Sequence, residues 1–521
     1  MLERWRTSVE LPACAAATAL TIVAIQLGWR GADWPAQLFR IDLFARDGFT
    51  QWNNYWYAGH HAPGYSLLLP ALAATVGVVA VAIGSVVVAT WSFATLSRHT
   101  LPAPRAAALV FGLGTVTNIV VGRLPFALGL ALGTAATAAM TSRRTLLAAM
   151  LAPATALASP VAGAFFMLVA VTYAIVTPSA RRLSIVLAAM CGAALATVGL
   201  AFPEGGEFPF GVDAFAITVT VALVAIVFLP ARHRALRVGS ALYALAAVAT
   251  EIVPNPLGAN ITRLGMFVAP AVAVGVLWPA RRRVAAVLVG PLVLWQWVPA
   301  ADGIFAAGRD PSSDPAYFDG LLTELDRLPT ARVEIPFTKH HWEATYVAER
   351  VPLARGWERQ LDIGVNGVFY DGSLTDDTYR AWLDDTAVGY VALPDADLDD
   401  SAVDEAALLR AGVPGLDPVW HDAHWQLWRV TSSAPMVEGP ARLVAMDADS
   451  FTLDVARAGD VLVRIRYSSH WDVDGPGCAV PTADGWTRIR FDEAGTFRVR
   501  QVLSRWVPFA PDRFTDCPAT G

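Results

Sequence analysis

The sequence predicts a polytopic α-helical membrane protein with about eleven spans, followed by a C-terminal α/β region and a β-sandwich-like module. Three observations carry that expectation. Only 16% of the 521 residues are charged, where soluble proteins average about 25%. The charge is also divided: residues 1–300 hold 19 Lys+Arg against 9 Asp+Glu, and residues 301–521 hold 20 against 36. The first part is built of apolar runs near the roughly 20 residues that cross a hydrocarbon core. The acidic second part excludes a nucleic-acid partner, which needs a basic surface.

Eleven apolar stretches qualify as spans: 11–30, 78–97, 106–122, 126–141, 145–159, 161–178, 183–202, 213–230, 236–253, 263–279 and 284–300. The first is a span rather than a cleaved signal, because further apolar segments follow it. Arginines set the orientation. Arg4/Arg6, Arg98/Arg105, Arg143/Arg144, Arg181/Arg182, Arg232/Arg234/Arg237 and Arg281–Arg283 occupy every second loop and make up 14 of the 19 basic residues. With those loops in the cytoplasm, residues 31–77 lie outside the plasma membrane, and so does everything after the last span. Seven of the nine acids also face outward: Asp33, Asp42, Asp47, Glu204, Glu207, Asp213 and Glu251. Gly129 and Gly133 form a small-xxx-small pair that reads as close helix packing.

After residue 300 the pattern changes. Residues 300–315 read as a linker, and helices and strands then alternate to about residue 432, as in a small α/β domain. From about residue 441, period-two alternation in ARLVAMD, SFTLDVA, DVLVRIRYS, WTRIRFD and TFRVRQVLS predicts five short strands of a sandwich-like module. The chain thus divides at 1–300, 301–432 and 433–521. If this part is extracytoplasmic, Cys478 and Cys517 are able to form a disulfide.

Polar chemistry in the membrane part concentrates in RIDLFARDGFTQWNNYWYAGHHAPGYSLLLP, residues 40–70. Asp42 and Asp47 are candidate general bases, with Asp47 preferred because it abuts the aromatic cluster. On a helix their spacing of five puts them on different faces. Asn53, Asn54, His60 and His61 offer donors and acceptors for hydroxyls or phosphate. Adjacent histidines diverge, so a divalent metal on His60 and His61 is disfavoured. Trp52, Tyr55, Trp56 and Tyr57 fit either stacking on sugar rings or an interfacial aromatic belt. The apolar run 63–77 fits a helix half-inserted at the interface.

Arg123 and Arg263 break the positive-inside pattern at external helix ends. With Asn260 they are candidates to clamp a lipid phosphate, since a guanidinium binds phosphate bidentately. KHHWE (339–343) and HDAHW (421–425) read as surface strand ends, with a metal site as the less favoured alternative. RGWERQ (355–360) fits glycan contact. No P-loop and no G-x-S-x-G occurs, so nucleotide hydrolysis and esterase chemistry find no support.

One helix, a long acid-bearing external loop, the apolar stretch HHAPGYSLLLPAL, many further helices and a C-terminal external domain together resemble the GT-C superfamily of integral membrane glycosyltransferases. The chain is also similar to a set of actinobacterial membrane proteins sharing the WYAGHHxPGYS stretch and the RGWERQLD segment. The GT-C resemblance implies a polyprenyl-phosphate-linked sugar donor, an envelope glycan or glycolipid acceptor, and no required cofactor. It further implies a catalytic carboxylate at Asp47 or Asp42 and carrier-phosphate contacts from Arg123 and Arg263. Many members carry adjacent acids in that loop, whereas Asp42 and Asp47 are separated. The alternative is a non-catalytic envelope-assembly scaffold or a lipid or glycan transporter. Transport wants ionisable residues deep within helices, where this chain has almost none.

Overall fold

The computed structural model describes residues 8–203, 206–279 and 282–502. Arg4, Arg6, Glu204, Arg281 and Cys517, with its expected bond to Cys478, lie outside them. The described chain forms two compact units: residues up to Gln37 with Gly64–Arg309, and Leu38–Pro63 with the residues from Asp310 onward.

Every one of the eleven apolar stretches is a helix. They are α1 (Glu10–Gln26), α4 (Val78–Thr100), α5 (Pro104–Val121), α6 (Leu124–Thr141), α7 (Thr145–Ala158), α8 (Pro160–Val176), α9 (Arg181–Ala201), α10 (Val212–Phe228), α11 (Arg234–Ile252), α12 (Thr262–Leu277) and α13 (Arg282–Ala306). Among the described residues seven helical segments, those of α4, α5, α6, α9, α11, α12 and α13, are long and apolar enough to cross a membrane. The remaining four are apolar but shorter, at 14–17 residues. Val227 and Phe228 of α10 are each 69% exposed, as on a helix whose outer face meets lipid rather than water. At Gly129 the added methyl of an alanine would sit 2.6 Å from the Ala162 Cβ, so α6 and α8 touch where the small-residue pair predicted close packing.

One helix of this part was not expected: α2 (Trp34–Asp47) occupies what the sequence presents as loop, whereas α3 (Leu69–Val76) falls where the apolar run 63–77 was read as a helix. The Arg and Asp residues of α2 disguise it. Its Pro35 lies in the first turn, where a missing N–H costs nothing. The unit boundary falls inside α2, so residues 38–63 leave the first unit, a correction to the division at residue 300. α13 also runs on to Ala306, through half of the expected linker.

The second unit has three sheets besides the short pair β1 (Trp52–Asn53) and β2 (His60–His61). The α/β sheet has the order β3-β4-β6-β5: β3 (Arg332–Glu334) is parallel to β4 (Val388–Pro394), and β5 (Leu416–His421) and β6 (Trp425–Val430) are antiparallel. Around it lie α14 (Asp319–Leu325), α15 (Glu343–Tyr346), α16 (Arg359–Val365), α17 (Asp376–Asp385) and α18 (Val403–Ala411). The Thr375 side chain caps α17.

Among the described residues the sandwich has eight strands where five were expected. One sheet orders β12 (Gly477–Pro481), β13 (Trp486–Phe491), β10 (Gly459–Arg466) and β7 (Val437–Glu438). The other orders β11 (Trp471–Val473), β14 (Gly495–Gln501), β9 (Ser450–Val455) and β8 (Ala441–Met446). Two of the extra strands have two or three residues, too few for alternation to register. Along β10 the residues Val461, Val463 and Ile465 are fully buried and alternate with more exposed ones, the signature of a one-sided strand.

Candidate functional site

The aromatic stretch expected to face a sugar is interior. Trp52, Trp56 and Tyr57 are each at most 1% exposed. Trp52 joins Phe451, Leu453, Val463 and Trp471 in the sandwich core. Trp56 donates its indole N–H to the Ala344 carbonyl at 3.0 Å, and Gly356 packs against its ring so closely that any Cβ would overlap it. The Tyr57 hydroxyl donates to the Gly356 carbonyl at 2.6 Å and accepts from the Glu358 N–H at 2.8 Å. Asn54 donates to the Asp447 carbonyl at 2.8 Å, and its side-chain oxygen accepts from Trp52. Asn53 meets His60 Nε2 at 3.0 Å, and His60 stacks on Trp56. Burial, with the Arg40 charge second, pushes His60 down to about 3; burial, with His470 second, pushes His61 down to about 4. Both imidazoles are therefore neutral at physiological pH. Asn53, Asn54, Trp56, Tyr57, His60 and His61, expected to bind substrate, are each at most 8% exposed.

The two expected catalytic acids behave differently. Asp42 and Asp47 lie on exposed positions of α2. Asp47 stands 4.0 Å from its neighbour Arg46. Partial burial raises Asp42 above the usual carboxylate range, against the opposing effects of Arg46 and of a hydrogen bond with Glu349.

In the first unit a different acid meets the arginines. Gly31 donates to the Val120 carbonyl, Asp33 donates its N–H to Val121, and the Trp34 indole donates to Ile119. This docks residues 31–34 on the end of α5. Gly122 ends α5 at φ 93°, and a Cβ there would collide with the Asp33–Trp34 backbone, so only glycine permits the approach. The docking sets the Asp33 carboxylate 3.6 Å from Arg123 Nε, with both side chains about one-fifth exposed. Arg123 is the residue that begins α6. Arg263, in the first turn of α12, lies over the Phe126 ring at 5.3 Å and within electrostatic range of Arg123, Asp33 and Tyr65. Asn260 is one turn earlier, in the 3-10 turn Gly258–Ile261.

Two guanidiniums at two helix N-termini concentrate positive charge, to which unpaired N–H groups and the helix dipole add. Among the described residues no carboxylate pairs directly with Arg263. An apolar cavity of about 250 Å³ opens beside it, lined by Phe93, Phe111, Phe126, Phe165, Phe267 and Arg263. Along α6 it extends from Phe126 to Thr137, about 16 Å at 1.5 Å per residue. Asp33 was legible as the first acid after the first span; the density of polar residues further on drew attention from it.

KHHWE is largely buried rather than a surface strand end, and RGWERQ is buried over 355–357 and partly exposed over 358–360. His340 Nδ1 lies 2.7 Å from Asp310, and His341 stacks on Trp357 with 3.3 Å between centroids and lies 3.5 Å from Asp399. Arg359 holds Asp399, and Glu358 holds Arg40 at 2.8 Å. His424 of HDAHW is half exposed and pairs with Asp395. Among the described residues no group of three or more His, Cys, Asp or Glu is placed to hold a metal.

Glu343 accepts from Thr338 Oγ1 at 2.5 Å, and burial pushes its carboxyl up to about 8. A raised acid favours folding below its unfolded value of 4.5 and progressively loses that contribution as pH climbs to about 8. Glu343→Gln should therefore match the wild type near pH 4.5 and be more stable by on the order of 3 kcal/mol at pH 7. Urea denaturation at the two pH values checks this, and a gain that is the same at both would refute it.

No protein-family model matches the chain, and no curated protein matches it. Among solved structures it is similar to ArnT from Cupriavidus metallidurans, determined with undecaprenyl phosphate bound. The identity is 14%, the alignment covers 80% of this chain and 98% of that one, and the TM-score is 0.38.

Proposed function

We propose that this membrane protein is a GT-C-type glycosyltransferase that moves a sugar from a polyprenyl-phosphate donor to an envelope glycan or glycolipid acceptor outside the plasma membrane. The observation that carries the reading is the Arg123–Arg263–Asp33 cluster, of which Arg263 also lines the apolar cavity. The cavity suits a prenyl chain, and the arginines suit its phosphate. In the reaction an acceptor hydroxyl oxygen attacks the anomeric carbon while the bond from that carbon to the phosphate oxygen breaks. A single displacement inverts the anomeric centre. The hydroxyl proton passes to a carboxylate. The polyprenyl phosphate leaves with the bonding pair, its charge held by the two guanidiniums.

Asp33 is the carboxylate we assign as base, ahead of Asp47 and Asp42, because it shares the arginine cluster. The test is transfer by purified protein supplied with a panel of polyprenyl-phosphate sugars. Asp33→Asn should lower turnover about 10²-fold or more while polyprenyl-phosphate binding persists. Loss in Asp42→Asn or Asp47→Asn with Asp33→Asn active would move the base to α2. Binding without transfer to any acceptor would favour the scaffold.

A further inference from the structure

The α/β domain buries more negative than positive charge around one residue. Arg355 is 1% exposed, and its guanidinium lies between the rings of Phe337 and Phe369 at 3.9 and 4.0 Å. Three carboxylates surround it: Asp362 at 2.7 Å, Glu405 at 3.3 Å and Glu334 at 3.7 Å, each 0% exposed. Asp362 also accepts from Tyr370 and from Asn366, and Glu405 accepts from Tyr379 at 2.8 Å. Arg359, which approaches the Tyr370 hydroxyl, is committed to Asp399. Neither Glu334 oxygen receives a hydrogen bond from an N–H or O–H donor among the described residues. A dry interior does not hold two uncompensated anions side by side. Glu334 leans on Glu405, so the charge balances best when one carboxyl keeps its proton and donates to the other carboxylate.

We propose that Glu334 and Glu405 share one buried proton, and that this proton is a pH-sensitive lock on the α/β domain. Lost with rising pH, it leaves two carboxylates facing each other across a single guanidinium, and the Arg355 hub opens. The segment 355–359 carries the effect outward, because Glu358 holds Arg40 of α2 and its backbone holds Tyr57. Burial and the Glu405 charge raise Glu334 well above the carboxylate range, and burial brings Glu405 to about 7. With folded values raised, the contribution is complete below the unfolded value and fades as pH passes neutrality.

Hydrogen exchange of the full-length protein in detergent tests the lock, with rates corrected for intrinsic pH dependence. Protection of peptides covering Arg332–Glu334 and Val403–Ala411 should fall about 10-fold or more between about pH 6 and pH 8.5. In Glu334→Gln it should stay level, since the amide donates to Glu405 without a titrating proton. Glu405→Gln should level it in the same way and serves if the first variant does not fold. Level protection in the wild type, or a parallel fall in a folded variant, would overturn the proposal.

Discussion

Arg355→Met should cost the second unit roughly 3–5 kcal/mol and leave its α/β domain at or past the edge of folding at neutral pH. The estimate follows from what remains rather than from what is removed. Replacing a whole buried ion cluster by apolar groups is often harmless, but withdrawing one member strands the others. Here the stranded members are Asp362, Glu405 and Glu334, all fully buried from bulk solvent. Methionine also gives up the stacking of the guanidinium between Phe337 and Phe369. Acid should partly rescue the variant, because protonated carboxyls no longer need the guanidinium. Urea melts of full-length protein at about pH 5 and pH 7.5 measure both effects. A loss under about 1 kcal/mol at the higher pH, or no rescue at the lower, would show that the cluster is not held this way.

Arg263→Gln should weaken polyprenyl-phosphate binding by about 10²-fold or more, the loss expected when a desolvated phosphate gives up a bidentate charged partner. Arg263→Lys should recover only part of it, because an ammonium lacks the planar fork. The folded protein itself should not suffer. Arg263 stands near Arg123, a like charge, and pairs directly with no carboxylate among the described residues, so its removal relieves repulsion. Equal or higher thermal stability together with lost lipid binding separates a ligand site from a structural arginine. Titration of detergent-solubilised protein with a polyprenyl phosphate, followed by native mass spectrometry, gives the binding arm. Wild-type affinity in Arg263→Gln would remove the phosphate site from this cluster.

The helices were legible because an apolar run of spanning length has few other uses, and all eleven lie where hydropathy placed them. Long strands were legible for the same kind of reason: in β10 and β13 alternation runs over several residues, while β7 and β11 are too short to show it. Helix α2 was hidden by its own polarity. Arg40 looks like a loop residue until its partner Glu358 is known, and that partner is 318 positions away. The same distance in sequence hid the fate of Trp56 and Tyr57. A run of aromatics beside asparagines looks alike whether it awaits a sugar or fills a core, and only the carbonyls of Ala344 and Gly356 decide. Arg355 and Glu358 look like surface residues because charge normally means surface, and here they are paired with Asp362 and Arg40 inside. Asp33 was visible as an acid; its closeness to Arg123 depends on the turn at Gly122.

The second unit is assembled from two stretches of chain, 38–63 and the residues from 310 onward, with about 250 residues of apolar helices between them. During synthesis at 5–20 residues per second, the first stretch waits on the order of 15–85 s for its partners. For that time Trp52, Trp56 and Tyr57 have neither the sandwich strands nor Gly356 to cover them. A ribosome stalled anywhere in the interval would release a chain with a sticky aromatic segment and no core to bury it. Biogenesis of this protein thus leaves the segment 38–63 waiting for a core that is made long after it.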